Sequence, residues 1–313
     1  MYLLIERTIL SYRKIVKDVG QMINKNKNDE NLYIRTDNKL LRYRKRGNGN
    51  KNLIFIHGLG AFTEVWNPLM NALDEKKFSM FSIDLPGHGE TKFNKTEMKD
   101  FYSEKGPFIN AIDLLIEEEK ISNPVLVGNS MGGGISMLYS IFRANRISGC
   151  VLIDPFGGNT SIGVMYRLMS ARPINWYYRR KTPTMETILA GWKNSFSASN
   201  PPEWLIQKSL EYYSDRQNWE SYFDLVKYAV SIFGLRKKNL DKIREQFSKS
   251  QIPKIVIWGE KDKVLSISEG QKYFSGVKNA NFVVIKDAGH VPMIEFPKIV
   301  ADRINQFVDS LTK

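Results

Sequence analysis

The chain has a single cysteine and three histidines in 313 residues. One cysteine excludes an intrachain disulfide, and Cys150 sits in the apolar stretch Cys150–Ile153, where it reads as a small buried hydrophobe. That usage suits a reducing cytoplasm, which is the expected location. The histidines lie far from one another and from the cysteine, so spacing suggests no metal cluster, and no cofactor is expected. No uncharged apolar run is long enough for a transmembrane helix or a signal-peptide core. No internal repeat is visible. Helix-turn-helix, zinc-finger and RNA-binding fingerprints are also missing, so no nucleic-acid partner is expected despite the excess of positive charge.

What is present begins with that charge. The net charge is +13, and residues 1–51 hold 13 Lys/Arg against 5 Asp/Glu. Residues 1–23 read as an amphipathic helix, because Ile5, Ile9, Tyr12, Val16, Val19 and Ile23 fall in one stripe among basic positions such as Arg7, Arg13, Lys14 and Lys17. Three roles suit it: a helix lying on the inner face of a membrane, a helix packed on the globular domain, or an element of a homodimer. Asn24 to Asn31 reads as a link, so residues 1–31 form a unit of their own.

Beyond it, apolar strand signals occur at Leu32–Arg35, Leu40–Lys45, Leu53–Ile56, Ser79–Ile83, Val125–Val127, Cys150–Ile153, Lys254–Trp258 and Phe282–Ile285. Helix-compatible stretches from about Phe108 to Lys120, from Gly134 to Arg143, and from Pro297 to Leu311 alternate with them. This order predicts an α/β fold, a mostly parallel sheet with helices on both faces, built from residues 32–155 and 251–313. The alternation stops over residues 156–250. There, helical segments are broken at Pro173, Pro183 and Pro201-Pro202, and 16 of the 37 aromatic residues of the chain are found. An aromatic-rich insertion between two core strands predicts a helical cap over a site, with a core of its own.

The chemistry centres on Gly128-Asn129-Ser130-Met131-Gly132-Gly133. A strand runs directly into Gly-x-Ser-x-Gly and a helix follows, which is the order of a nucleophile elbow. Gly128 and Gly132 remove the Cβ atoms that would obstruct so tight a turn. A serine hydroxyl needs an adjacent base, and the base an orienting carboxylate. His290 is the only histidine after the serine. His57 and His88 sit upstream, in glycine-bracketed turns at strand ends. The favoured acid is Asp262, after strand Lys254–Trp258, with Asp154 as the alternative at the end of Cys150–Ile153. Backbone N–H groups of Met131 and Leu59 are the candidates for an oxyanion hole, Leu59 lying in His57-Gly58-Leu59-Gly60. Asp84 and Gly87-His88-Gly89 read as architectural.

Over about residues 32–311 the chain resembles the α/β-hydrolase superfamily. The motifs that carry the resemblance are His57-Gly58-Leu59-Gly60, Asp84-Leu85-Pro86-Gly87-His88-Gly89, the elbow, Trp258-Gly259-Glu260-Lys261-Asp262 and Gly289-His290, all in the order the superfamily requires. Ile257 to Ser268 and the basic amino-terminal helix are most similar to monoacylglycerol-lipase-like and related carboxylesterase members. The resemblance implies a serine hydrolase acting on a small-molecule carboxylic ester with an apolar acyl group. The elbow is also similar to that of the meta-cleavage C–C hydrolases, which usually carry Trp directly after the catalytic histidine, where this chain has Val291. Such an enzyme would need a buried cap arginine, such as Arg167, Arg172 or Arg179, to bind a carboxylate. Ser130 argues against epoxide hydrolases and dehalogenases of this fold, which use an aspartate nucleophile. A non-catalytic ligand-binding relative is the remaining alternative.

Overall fold

A computed structural model describes residues 31–36, 39–93, 103–159, 161–198 and 200–311. The basic helix expected over residues 1–23 lies outside the described residues, as does nearly all of its link. In chain order the strands are β1 (Asn31–Thr36), β2 (Lys39–Arg46), β3 (Lys51–Ile56), β4 (Phe78–Ile83), β5 (Val125–Asn129), β6 (Gly149–Ile153), β7 (Val230–Ser231), β8 (Gly234–Leu235), β9 (Lys254–Gly259) and β10 (Ala280–Ile285). Eight of them make one sheet in the order β1-β2-β4-β3-β5-β6-β9-β10, and β7 with β8 forms a separate hairpin. Only the β1–β2 and β2–β4 pairings of the large sheet are antiparallel. The rest is parallel, as the strand and helix alternation predicts.

The central strands are apolar on both faces because both faces are covered. In β3, Leu53 and Phe55 join one core layer, while Ile54 and Ile56 join the other. The first layer is closed by α1 (Asn67–Ala72) and α12 (Pro297–Ser310), through Leu69, Met70, Val300 and Ile304. The second is closed by α2 (Pro107–Glu118) and α3 (Met131–Phe142), through Phe108, Ile112, Leu115 and Leu138. Burying one such side chain contributes about 1.5–3 kcal/mol, so the layers dominate stability. The chain leaves β3 toward β4 on one side and reaches β5 on the other. That reversal opens a crevice at the carboxyl ends of β3 and β5.

Between β6 and β9 the chain inserts α4 (Val164–Ser170), α5 (Arg172–Arg180), α6 (Met185–Lys193), α7 (Glu203–Tyr213), α8 (Arg216–Ala229), the β7–β8 hairpin and α9 (Lys237–Ser248). Pro173 begins α5, Pro183 lies in the break before α6, and Pro201-Pro202 precedes α7, so the prolines fall at helix starts, where a missing N–H costs nothing. Ile188, Ile206, Tyr213, Trp219 and Phe223 form a core belonging to the insertion alone. Among the described residues no helix is long and apolar enough to cross a membrane.

The alternating basic residues of β2 point inward. Arg42, Arg44 and Arg46 are all buried. Arg44 donates to Asn67 Oδ1 at 2.7 Å, and Arg46 donates to Asn71, so both are held by α1. Arg42 donates to Asp84 Oδ2 at 2.8 Å, to Glu64 Oε1 at 2.6 Å and to the Tyr212 hydroxyl of α7 at 2.7 Å. Burial opposes the charge on Glu64, but the guanidinium overrides it and pulls the carboxyl down to about 2. Two loops and the insertion therefore meet on one buried cation. Arg42→Met would leave the two carboxylates without it, and is expected to destabilise the fold by about 3–5 kcal/mol in urea unfolding. Adding Asp84→Asn to that variant should recover part of the loss, and a single variant within error of the parent would contradict the bridging role.

Candidate active site

Ser130 follows β5 directly and has φ 53° and ψ −118°, a conformation side chains rarely adopt. Its backbone is fixed on three sides. Its N–H donates to Ile153 O at 3.0 Å, and its carbonyl accepts from Gly134 N at 3.1 Å and from Phe156 N at 2.8 Å. Strain of this kind costs on the order of 1–3 kcal/mol and persists only where the surroundings enforce it. The turn also requires close approach. A Cβ on Gly132 would lie 1.9 Å from the Ile56 carbonyl oxygen at the end of β3. A Cβ on Gly58 would lie 3.2 Å from Ser130 Cβ, so the loop after β3 runs directly against the serine. The start of α3 and that loop thus flank Ser130 at the switch point of the sheet.

His290 lies in the loop between β10 and α11 (Pro292–Glu295). Its Nδ1 is 2.8 Å from Asp262 Oδ2. Asp262 is buried, and its Oδ1 accepts from Val264 N at 2.7 Å and from Leu265 N at 3.0 Å. A carboxylate can only accept, so Nδ1 carries the proton, and in the neutral imidazole Nε2 keeps its lone pair. The histidine backbone is pinned as well. Its N–H donates to Ser195 O of the insertion at 2.8 Å, and its carbonyl accepts from Asn129 Nδ2 at 3.0 Å. Asn129 also donates to Ile153 O at 3.2 Å, tying β5, β6 and the histidine loop together. Glu295 completes the brace by accepting from Gly289 N at 2.7 Å and from Ser197 N at 2.9 Å. Sequence reading missed Asn129, Ser195 and Glu295. Only Asn129 offered a signal, a polar residue at the end of an otherwise apolar strand.

Ser130, His290, Leu59 and Met131 all line one cavity of about 1050 Å³. Ser130 and His290 are not hydrogen-bonded to each other in this structure. Neither the Leu59 nor the Met131 backbone N–H donates to another group among the described residues. Met131 N–H stands at the start of α3, where the helix dipole favours negative charge.

The other two histidines are structural. Leu85 N donates to His57 Nε2 at 2.9 Å, so Nδ1 carries the proton and donates to Gly58 O at 2.8 Å. Burial, then the neighbouring His88, holds His57 well below the usual imidazole range. Burial also takes His88 down to about 4. Asp84 accepts from Thr63 N at 2.8 Å and from Glu90 N at 3.0 Å, which fixes the loops after β3 and β4.

Asp154, the alternative acid, does not bond to the imidazole. It is fully buried at the end of β6 with φ 43°, and its Oδ1 accepts from Gly259 N at 2.8 Å. Burial, followed by the charge of Asp262, pushes its carboxyl far above the usual carboxylate range. Both causes favour the protonated form of Asp154, and its Oδ2 has no hydrogen-bond partner among the described residues. Asp154, Asp262 and His290 bring donor atoms within 4.8 Å of one another, a grouping a cation could use and one that sequence spacing did not suggest.

The chain matches the alpha/beta hydrolase fold family over residues 51–297 and belongs to that family. Its relatives include a Mycoplasma genitalium protein described only as a candidate esterase/lipase, 24% identical over 83% of this chain and 90% of that one. Human monoacylglycerol lipase ABHD6 is 22% identical over 86% of this chain and 78% of its own length. Among solved structures, the carboxylesterase CesB from Bacillus subtilis superposes with a TM-score of 0.67 at 16% identity, covering 90% of this chain and 91% of that one, a likeness of fold.

The two carboxyl groups are separable by proton NMR. The His290 Nδ1–H should give a low-field resonance that Asp262→Asn abolishes. Asp154→Asn should keep it, because Asp262 and not Asp154 is bonded to the imidazole. Loss of the signal in Asp154→Asn alone would move the imidazole partner to Asp154.

Proposed function

We propose that the protein is a serine hydrolase that cleaves carboxylic esters with long apolar acyl groups through an acyl-enzyme. The observation that carries this is the convergence, on one cavity, of a serine on a strained turn, an imidazole oriented by a buried carboxylate, and two undonated backbone N–H groups. Ser130 Oγ attacks the ester carbonyl carbon, and its proton passes to His290 Nε2. Asp262 keeps the imidazole in the right tautomer and stabilises the imidazolium. The N–H groups of Leu59 and Met131 take the developing oxyanion. His290 then returns the proton to the leaving alcohol, and water releases the acid by the same steps in reverse.

The cavity favours the substrate class. At about 1050 Å³ it lies at the upper end of the range for ligand pockets, and its lining includes no Lys, Arg, Asp or Glu. Most of it comes from the insertion, residues 156–250, which acts as the cap: Ile162, Met169, Ile174, Ile188, Tyr222 and Val226 form walls suited to a hydrocarbon chain. The same lining disfavours the C–C hydrolase reading. Arg167 donates to Ile232 O at 2.9 Å, Arg179 is paired with Glu220 and Asp224, Arg172 is exposed, and none of the three lines the cavity. A dienoate would lose its hydration there with no cation to replace it.

Ser130→Ala should leave the unfolding midpoint unchanged and lower kcat on p-nitrophenyl esters on the order of 10⁶-fold. Asp262→Asn should cost on the order of 10⁴-fold through the wrong tautomer. The parent should turn over long-chain acyl esters with a higher kcat/KM than short-chain ones. Activity of Ser130→Ala within about tenfold of the parent would remove the nucleophile, and a non-catalytic binder would show no turnover in the parent either.

A further inference from the structure

The outer side of the insertion is apolar where a soluble surface is usually not. Phe233, at the tip of the β7–β8 hairpin, is 88% exposed, and Ile232 beside it is 50% exposed. Val164 and Leu168 of α4, with Trp176 and Tyr177 of α5, are exposed by 49% to 64%. The hairpin belongs to the same face, since Arg167 of α4 donates to the Ile232 carbonyl at 2.9 Å. Scattered apolar residues on a surface carry no meaning, but a group that shares one face does.

Two further facts say what covers it. First, Met165, Leu168, Tyr177 and Tyr178 both line the cavity and stand in solvent, as do Thr187 and Ala190 of α6. The cavity therefore opens through this face. Second, residues 164–193 contain six Lys/Arg and one acidic residue, Glu186. Arg179 is held by Glu220 and Asp224 of α8, which leaves Arg167, Arg172, Arg180, Lys181 and Lys193. Two of these lie among the exposed rings: Arg180 Cζ is 4.3 Å from the Trp176 ring centroid, and Lys181 Nζ is 4.8 Å from that of Tyr177. Apolar tips, amphipathic aromatic rings and cations at one level match the layering of a bilayer surface, with hydrocarbon below and anionic headgroups above. A second copy fits poorly, because a two-fold contact would set this cationic face against itself.

We propose that the face formed by α4, α5, α6 and the Ile232–Phe233 hairpin tip docks on the surface of an anionic phospholipid bilayer, with the cavity mouth turned toward the lipid. Phe233 and Ile232 enter the acyl boundary, while the Lys and Arg side chains extend to the headgroups. An apolar lipid ester can then pass from the bilayer to the cavity without crossing water. The docking does not rest on the ester chemistry, since it concerns a surface that Ser130 does not touch.

The sole cysteine makes the test direct. Cys150 is fully buried, and burial raises its thiol to about 12, so it does not compete for a thiol reagent. Phe233→Cys in the full chain, labelled with the environment-sensitive fluorophore NBD, reports on the hairpin. Gln251→Cys reports on the opposite edge of the sheet, because Gln251 is exposed and precedes the amino-terminal end of β9. With phosphatidylcholine vesicles containing phosphatidylglycerol, the label at 233 should shift to the blue and brighten, while the label at 251 should not change. Pure phosphatidylcholine vesicles should give a much weaker response. Arg180→Gln with Lys181→Gln should weaken vesicle binding roughly fivefold per cation removed, at an unchanged unfolding midpoint.

Three results would overturn the proposal. One is a label at 233 that stays water-like while the protein co-sediments with vesicles, which would place the contact elsewhere in the chain. Another is no co-sedimentation at all. The third is a blue shift without vesicles that grows with protein concentration, which would assign the face to a second copy. None of these readouts needs turnover, so failure of the ester chemistry would leave them unaffected, and their failure would leave the ester chemistry standing.

Discussion

Ser130 is held at a positive φ by three backbone hydrogen bonds, and the other groups of the site are placed around that turn. The turn brings β5 to a stop beside β3, so the loop at Gly58 passes against the serine and the N-terminus of α3 begins at Met131. The residue just before it, Asn129, uses its side chain to hold the carbonyl of His290. Relaxing Ser130 to an ordinary conformation would therefore shift the serine, the start of α3 and the imidazole loop together. Strain on the order of 1–3 kcal/mol is small beside the burial of the two core layers that enforce it.

Charge is handled differently at three depths. In the deepest layer, Arg42 gathers Asp84, Glu64 and Tyr212, joining the loops around β2 to α7 of the insertion. Next to the imidazole, burial and the charge of Asp262 push the Asp154 carboxyl far above the usual carboxylate range. At the surface of α4 to α6, cations stand beside exposed aromatic rings. The large cavity between the first two levels and the third has no charged lining except what His290 can acquire. A neutral, largely apolar substrate is the one that suffers least on entering it.

Much of this could be read from residue order. β3, β5, β6 and β9 were legible because a strand buried on both faces is written as an unbroken apolar run, and the elbow because its glycines are dictated by contacts as short as that of Gly132 with Ile56. His290 was legible by elimination, since only one histidine follows the serine. What was hidden depends on contacts distant in sequence. Arg42, Arg44 and Arg46 alternate like the solvent face of a strand, yet α1 and α7 cover them. The upward shift of the Asp154 carboxyl depends on its burial and on Asp262, 108 residues later, as the brace from Ser195 to His290 follows from where the insertion returns to the core. α1, α10 (Ile267–Phe274) and the β7–β8 hairpin were missed because each is too short to establish a periodicity.

The central claim is that Ser130 is a nucleophile made reactive by the fold. Intact-mass spectrometry after treatment with a fluorophosphonate tests it most directly, because the reagent records attack by the serine whatever the natural ester is. One adduct per chain, mapped to the peptide containing Ser130 and lost when the protein is unfolded before treatment, is the expected result. A folded protein that stays unmodified, or carries the adduct on another residue, would contradict it.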